Sequence, residues 1–221
     1  MIPILSFIGK SNSGKTTFIE RLIPELIQKD FRIVTVKHDK SHGFDFDKKG
    51  KDSWRHKEAG AEATILSSPR MIALIRDIKE EASLSEIAFR YAGDADLLIA
   101  EGFKDGNQKK IEITTDLNEE HLFCKKYQNV VAVISDNKLK LELPMFKRDS
   151  ISEVAEWIEK KILTADKRDN LALFVNSKKI SLKPFIANIL TGTIKGIIFA
   201  LKMRKKPVTI ELKIVNKSAK K

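Results

Sequence analysis

Residues 8–22 read IGKSNSGKTTFIERL, and this stretch decides which fold to expect. Gly9 is followed by four residues and then by Gly14-Lys15-Thr16, which completes the pattern G-x-x-x-x-G-K-[ST]. Glycines at these places allow positive φ, so successive N–H groups can turn inward around a phosphate chain. The lysine adds a mobile cation for the outer phosphates, and the threonine hydroxyl can ligate Mg²⁺. The pattern predicts a phosphate-binding loop of the Walker A type.

The segments on either side of this loop have the character that the motif requires. Residues 4–8 form a short apolar run typical of a buried strand, and residues 17–23 place their apolar side chains on one face of a helix. A helix that begins directly after the loop offers unpaired N–H groups and a favourable dipole to bound phosphates. The predicted nucleotide-contacting residues of the loop are Gly9, Lys10, Ser11, Asn12, Ser13, Gly14, Lys15, Thr16 and Thr17.

Apolar runs alternate with helical patterns along the first three quarters of the chain. Runs without polar alternation are typical of parallel strands that are covered on both faces. The predicted strands span residues 31–37, 63–67, 71–75, 97–103, 110–114 and 130–135, and the predicted helices span residues 53–60, 83–91 and 151–163. We therefore expect the α/β fold of a P-loop NTPase, with a mostly parallel sheet flanked by helices.

The formal net charge of +11 lies entirely in the last quarter of the chain. Residues 165–221 contain fourteen lysines and arginines but three acids, whereas residues 1–164 contain 27 basic and 27 acidic residues. This asymmetry predicts two units with different roles. We expect a nucleotide-binding domain of residues 1–165 and a small basic α+β domain of residues 170–221.

The small C-terminal domain is predicted to contain a hairpin, a helix and a final strand. The hairpin comprises residues 171–175 and 179–182, the helix residues 185–203, and the strand residues 208–214, whose apolar and polar side chains alternate. The helix is predicted to pack apolar side chains beneath the small sheet, namely Phe185, Ile189, Ile197 and Leu201.

The cysteine content and the apolar segments indicate the compartment. Cys124 is the single cysteine, which excludes an intramolecular disulfide and fits a reducing environment. No basic segment precedes a long apolar core near the start of the sequence, and polar residues interrupt the apolar run of the tail helix. We expect a cytoplasmic protein without a membrane segment.

Catalysed phosphoryl transfer requires a metal holder in addition to the loop. Within the predicted strand 97–103, Glu101 directly follows four apolar residues, as a Walker B acid does. We predict that it binds Mg²⁺ together with Thr16. Gly102 follows directly, and its N–H is predicted to meet a terminal phosphate. Asp136 follows another predicted strand, in the place where an acid commonly selects guanine, although the sequence has no N-K-x-D.

Residues 37–52 form a polar, glycine-punctuated segment that follows a predicted strand. Its acids and histidines suggest a loop that responds to the nucleotide and to Mg²⁺. Zinc is a weaker alternative, because His38 and His42 are four residues apart in a loop with no cysteine nearby. The candidate catalytic residues of this segment are His38, Asp39, Asp47 and Asp52.

Four stretches, in this order, resemble the molybdopterin-guanine dinucleotide biosynthesis adapter family, MobB. They are GKSNSGKTTFIERLI, VTVKHD, FDFDKKGKDSWRHKEAGA and ADLLIAEGFK. The pattern G-K-D-S-x-R-H-x-x-A-G-A is much more specific than the phosphate loop. The resemblance covers residues 1–165 and departs at KHDKSHGF, where family members often have a tighter histidine cluster. Residues 170–221 resemble an extension of some members whose role the family does not imply.

The resemblance implies a function that the residues alone do not. It implies a dimeric GTP-binding protein with Mg²⁺ and weak GTPase activity, which assists the guanylyltransferase that attaches GMP to molybdenum cofactor. The implied partners are this enzyme and molybdenum cofactor intermediates. In one P-loop subgroup a lysine at the position of Lys10 reaches across a dimer.

Two other functions fit parts of the sequence. A small-molecule kinase would need an arginine-rich lid; Arg70, Arg76 and Arg90 are present but do not form a compact segment. A nucleic-acid-binding NTPase could use the basic tail, but the tail lacks aromatic residues interleaved with its basic ones. We therefore favour the accessory GTPase, with neither nucleic acid nor a membrane as a partner.

Overall fold

The computed structural model describes residues 2–39, 47–93, 95–163, 171, 173–175, 178–201, 210 and 212. Its centre is a sheet of six strands, every neighbouring pair of which is parallel. The strands are β1 Ile4–Ile8, β2 Ile33–Lys37, β5 Leu97–Glu101, β6 Lys109–Ile113, β7 Val130–Ile134 and β8 Met145–Phe146. They lie in the order β2-β5-β1-β6-β7-β8. The predicted α/β class is confirmed.

Helices cover both faces of this sheet. One face packs against α1 (Lys15–Gln28) and α4 (Ile151–Ile158), which continues as a π-helical turn over Glu159–Leu163. The other face packs against α3 (Leu84–Tyr91), which begins after Ser83, at the predicted start. The Ser83 side chain caps α3 by accepting a hydrogen bond from the N–H of Glu86. Burial on both faces explains why the strands lack polar alternation.

Two predicted strands lie outside the main sheet. β3 (Ala63–Ser67) and β4 (Ile72–Arg76) pair with each other as an antiparallel hairpin. The turn between them contains Pro69, and the Ser68 hydroxyl accepts hydrogen bonds from the N–H groups of Arg70 and Met71. The short strand β8 was not predicted, because two residues are too few to show a pattern.

Two element boundaries differ from the predictions for local reasons. β5 stops at Glu101, because Gly102 and Phe103 have positive φ (95° and 53°) and turn the chain away from the sheet. α2 (Asp52–Glu58) follows Lys51, so Asp52 lies in its first turn and does not cap it. An acid in the first turn still interacts favourably with the helix dipole.

The C-terminal quarter is described in part. The predicted hairpin is present as β9 (Leu173–Val175) and β10 (Lys178–Ile180), and β10 lies against α3. The predicted helix is present as α5 (Pro184–Ala200). The predicted strand 208–214 lies outside the described residues. Among the described helices, none has the length and hydropathy needed to cross a bilayer.

The predicted burial of one face of α5 is wrong. The four side chains are half to three quarters exposed: Phe185 74%, Ile189 50%, Ile197 62% and Leu201 57%. The partly buried apolar positions of the helix are instead Ala187, Leu190, Ile194 and Ile198. The apolar residues surround most of this helix, so the sequence did not determine which side faces inward.

Candidate nucleotide-binding site

The predicted site residues lie at the carboxyl edge of the parallel sheet. The Walker A loop follows β1, and His38, Glu101 and Ser135 come at or just after the ends of β2, β5 and β7. Because the strands are parallel, all these ends meet at one edge. Ligands of open α/β sheets bind at this edge.

Two glycines of the loop stand where a side chain does not fit. Gly9 has a φ of +153°, and a Cβ on it would lie 2.2 Å from the carbonyl oxygen of Ile113. Gly14 has a φ of +84°, and its Cβ would lie 2.8 Å from Nη1 of Arg148. The backbone can therefore curl tightly over the end of the sheet, as a phosphate cradle requires.

The start of α1 completes the cradle. The N–H of Phe18 donates to Gly14 O at 3.0 Å, which closes the first turn of the helix. The amides of Lys15, Thr16 and Thr17 precede that bond, so they have no partner within the helix and can donate to an anion. Ser13 Oγ is buried and has no hydrogen-bond partner among the described residues, which also fits a ligand-binding loop.

Lys15 lies folded over the loop. Its Nζ donates to Lys10 O at 2.7 Å and to Gly9 O at 3.2 Å. Burial lowers its pKa from the ordinary value, Glu101 opposes that shift, and Lys37 adds to it. The ammonium is held by carbonyl oxygens that a phosphate oxygen can replace, so the side chain can transfer to a ligand without refolding the loop.

Thr16 and Glu101, the predicted Mg²⁺ pair, lie together. The Thr16 hydroxyl is 2.9 Å from both Glu101 carboxylate oxygens, and Lys37 Nζ lies 3.9 Å from Oε1. The Glu101 side chain is 17% exposed. A hydroxyl and a carboxylate at the phosphate loop are hard oxygen ligands, and this donor set fits Mg²⁺.

Gly102 and His38 have partners within the protein. The N–H of Gly102 donates to Phe7 O at 2.9 Å, so a phosphate could reach it only by replacing this bond. The N–H of His38 donates to Glu101 O at 2.9 Å, and its ring stacks on Phe103 with centroids 4.5 Å apart. His38 Nε2 lies 2.7 Å from a carboxylate oxygen of Glu81.

The four candidate catalytic residues of the polar segment separate into two pairs. His38 and Asp39 line an open cleft of about 690 Å³ together with Glu81 and Asp105. Asp47 and Asp52 belong to the start of α2: Asp47 accepts a hydrogen bond from Ser53 Oγ at 3.0 Å, and Asp52 pairs weakly with Arg55. No described hydrogen bond or ion pair joins Asp47 or Asp52 to residues 9–17.

The zinc alternative and the single cysteine can be compared with the described residues. In that part of the chain, no three side chains of the metal-binding types are grouped so that they could hold a metal ion. His42 lies outside the described residues. Burial, with a contribution from Glu112, raises the pKa of the Cys124 thiol to about 11, so this cysteine remains protonated near neutral pH.

Asp136 lies beside a residue that the sequence reading did not select. Its Oδ1 accepts from the N–H of Arg148 at 3.1 Å, and its Oδ2 lies 3.7 Å from Arg148 Nε. The Asp136 side chain is 60% exposed, so the carboxylate remains accessible. Arg148 gives no signal in the sequence, because it follows the two-residue strand β8.

Lys10 is held by an acid of its own chain. Its Nζ lies 2.9 Å from a carboxylate oxygen of Asp116, just beyond β6. The hydrogen bond from Lys10 lowers the pKa of Asp116. Asp116 and Lys37 were not among the predicted site residues, since only the strand order shows that they lie near the loop.

A Walker A loop after a central parallel strand, with an acid at the end of the adjacent strand, defines a P-loop NTPase fold. Residues 4–136 match the family MobB, described as molybdopterin guanine dinucleotide synthesis protein B. A crystal structure of molybdopterin-guanine biosynthesis protein B superimposes with a TM-score of 0.60 and 33% identity, over 71% of this chain and 98% of that chain.

Two curated relatives extend this comparison. The molybdopterin-guanine dinucleotide biosynthesis adapter protein of Haemophilus influenzae is 37% identical over 164 residues, which cover 72% of this chain and 88% of that protein. A putative adapter protein of the same name from Methanocaldococcus jannaschii is 27% identical over 237 residues, covering 96% of this chain and 97% of that protein. The second similarity extends into the basic C-terminal quarter. The chain belongs to the MobB family.

Proposed function

We propose that this protein is a GTP-binding adapter with weak GTPase activity in the biosynthesis of molybdopterin guanine dinucleotide. Its partners would be the guanylyltransferase of that pathway and molybdenum cofactor intermediates, in the cytoplasm. The observation that carries the proposal is the contact of 2.9 Å between Thr16, in the first turn of α1, and Glu101, at the end of β5. Membership of the MobB family supports the pathway.

The loop residues would each take one part in holding the nucleotide. The first amides of α1 and the Lys15 ammonium would bind the phosphates, and the curled backbone of residues 9–14 would surround them. Thr16 and Glu101 would hold Mg²⁺, which supplies charge neutralisation of the phosphate oxygens when it is bound. Asp136 would accept hydrogen bonds from the guanine edge, since its carboxylate is accessible.

Slow hydrolysis fits the surroundings of Glu101 better than rapid turnover does. The ring of His38, which follows β2 beside Glu101, stacks on Phe103 and contacts Glu81. Its redirection toward an attacking water would require both contacts to break. Slow hydrolysis keeps the protein in its nucleotide-bound form, and a partner can then recognise that form.

The kinase alternative is less well supported. Arg70 and Arg76 lie at the β3–β4 hairpin, and Arg90 pairs with Glu86 at 2.9 Å on α3. Among the described hydrogen bonds and ion pairs, those of Arg70 and Arg76 do not reach the Walker A loop. Transfer to a small-molecule acceptor would need such cations around the moving phosphoryl group.

A homodimer is part of the proposal, and the β3–β4 hairpin supports it. Several of its large apolar side chains are exposed, including Ile65 at 65%, Met71 at 70% and Ile72 at 73%. Apolar side chains clustered on an exposed hairpin are typical of a protein–protein contact. Sedimentation at micromolar concentration would measure the association state with and without nucleotide.

Competition of GTP and ATP for a fluorescent guanine nucleotide tests the nucleotide assignment directly. We expect GTP to displace the probe at a concentration at least about tenfold lower than ATP, in a Mg²⁺-dependent manner. Asp136→Asn is the matched variant, because it replaces one carboxylate oxygen by an amide donor and should reduce the preference for GTP. Equal competition by ATP and GTP would refute guanine selectivity, and no binding of either would refute the proposed function.

A further inference from the structure

Arg148 reaches the Walker A loop from the opposite end of the domain sequence. It lies two residues beyond β8, in the segment that leads into α4. Its Nη2 donates to Ser13 O at 2.8 Å and to Thr114 O at 3.3 Å. The Arg148 side chain is 27% exposed, so its charge is partly withdrawn from solvent and directed at the loop.

The contact with Ser13 sets the orientation of one loop amide. The peptide bond between Ser13 and Gly14 is trans, so its C=O and N–H groups point in opposite directions. Arg148 holds the Ser13 carbonyl oxygen on its own side, which turns the Gly14 N–H away from the guanidinium. A Walker A loop presents its amides to phosphate in this way, with the carbonyl oxygens turned outward.

The Arg148 guanidinium lies very close to the backbone of Gly14. A Cβ on Gly14 would lie 2.8 Å from Arg148 Nη1, so any larger residue there would displace the guanidinium as well as strain a φ of +84°. Glycine at this position therefore allows the left-handed backbone conformation and also leaves room for the guanidinium of Arg148.

The same arginine also holds the residue on the base side of the site. Its backbone N–H donates to Asp136 Oδ1 at 3.1 Å, and its Nε lies 3.7 Å from Oδ2. Both Asp136 and Arg148 follow strands that end at the carboxyl edge, β7 and β8. One side chain thus joins the segment after β7 to the Walker A loop after β1.

We propose that Arg148 is a positioning residue that couples base recognition at Asp136 to phosphate binding at Ser13–Gly14. This inference rests on the proposed function, since it assumes that the site takes a guanine nucleotide. Loss of the guanidinium would free the Ser13–Gly14 peptide to rotate, and it would remove the ion pair to Asp136 Oδ2 while the backbone N–H of residue 148 still holds Oδ1. Both halves of nucleotide recognition would weaken together.

The test measures the two halves separately on the full-length protein. Calorimetry with tripolyphosphate reports the phosphate half, and the ratio of the affinities for GTP and ITP reports the base half, because ITP lacks only the 2-amino group. We expect Arg148→Ala to weaken tripolyphosphate binding about tenfold and to lower the GTP/ITP ratio. Arg148→Lys keeps a positive charge but lacks the several donors of the guanidinium, so its affinity for tripolyphosphate should lie between those of Arg148→Ala and the parent protein.

Two controls separate coupling from a general structural effect. Asp136→Ala should lower the GTP/ITP ratio and weaken tripolyphosphate binding by less than Arg148→Ala does, because Ser13 O and Thr114 O still hold the guanidinium. Arg21→Ala removes an ion pair of 2.9 Å to Asp149, the neighbour of Arg148, and should change neither quantity. Thermal melts of each unliganded variant show whether the fold is retained.

The possible results distinguish this inference from the proposed function. If the parent protein binds neither GTP nor tripolyphosphate, both fail. If the parent protein binds them and Arg148→Ala changes only one half, or neither, the coupling role of Arg148 is refuted while the proposed function stands. A loss of both halves in Arg148→Ala, with a smaller loss of tripolyphosphate binding in Asp136→Ala, supports it.

Discussion

At the scale of single residues, Lys15 and Glu101 occupy the same small region but serve different partners. Lys15 donates to carbonyl oxygens of its own loop, whereas Glu101 accepts from the Thr16 hydroxyl and lies near Lys37. None of these contacts includes an apolar core side chain. Substitution of Lys15 or Glu101 should therefore change ligand binding with little effect on the fold.

Lys15→Ala should weaken nucleotide binding by about 100-fold, because a charge-assisted hydrogen bond to phosphate is lost. The melting temperature should change by less than about 2 °C, since no buried apolar contact is removed. Calorimetry with GTP and a thermal melt measure the two quantities. Lys29→Ala is the control, because Lys29 lies at the far end of the same helix and pairs with Glu159. Unchanged affinity in Lys15→Ala would contradict the phosphate-loop assignment.

Glu101→Gln should reduce the effect of Mg²⁺ more than it reduces binding without metal. Glutamine keeps the shape of the side chain and can still accept from Thr16, but it lacks the negative charge that attracts a hard cation. The ratio of GTP affinities measured with Mg²⁺ and with a chelator should fall by about tenfold. A ratio equal to that of the parent protein would remove Glu101 from the metal site.

At the scale of elements, the turn that follows Glu101 depends on a buried lysine in the next strand. Lys110 of β6 is 1% exposed, and its Nζ donates to the carbonyl oxygens of Gly106, Gln108 and Gln128. Burial lowers its pKa, with Asp105 opposing the shift. The three carbonyl oxygens tie the β5–β6 turn and the segment before β7 to one side chain.

Lys110→Met should lower the free energy of unfolding by about 2 kcal/mol, because buried carbonyl oxygens lose their donor. For a chain of this size the melting temperature should fall by about 4–8 °C. Lys109→Met is a matched control: the neighbouring residue is exposed and makes one long contact of 3.4 Å with Lys161 O. Equal melting temperatures for the two variants would show that the buried ammonium does not stabilise this turn.

At the scale of the whole molecule, the described site and both core clusters lie within residues 1–163. The basic quarter contributes none of these residues and carries the entire excess of positive charge. Its helix α5 exposes apolar side chains, and its strand β10 contacts α3. We propose that residues 170–221 form a separate unit that binds an anionic partner, such as an acidic protein surface or a phosphate-bearing intermediate.

Deletion of residues 166–221 should leave GTP affinity within about twofold of the parent value, because no described site residue is removed. Partner binding should weaken, and in the parent protein it should fall steeply between 50 and 300 mM salt, roughly the range in which screening becomes strong. Pull-down with the guanylyltransferase at several salt concentrations measures this. A truncated protein that binds the partner as well as the parent does, with the same dependence on salt, would remove any binding role from the tail.

The sequence alone determined the features whose cause is local. Glycine spacing predicted the phosphate loop, apolar runs predicted the parallel strands, and charge counting separated the basic tail; each depends on residues that are close in the chain. The family resemblance covered the same residues and was confirmed by the comparison. Thr16 and Glu101 lie in contact, as expected from the loop after one predicted strand and the end of another, and their binding of Mg²⁺ stays a prediction.

The tertiary structure alone decided the features that depend on strand order and on packing. Arg148 lies 135 residues from Ser13 in the chain, and only the place of β8 at the sheet edge brings its loop toward β1. The contacts of Asp47 and Asp52 at the start of α2, and the exposed face of α5, likewise arise from how elements pack. Local sequence patterns predict which residues form a helix or strand, but the free energy of long-range contacts decides which of these elements pack together.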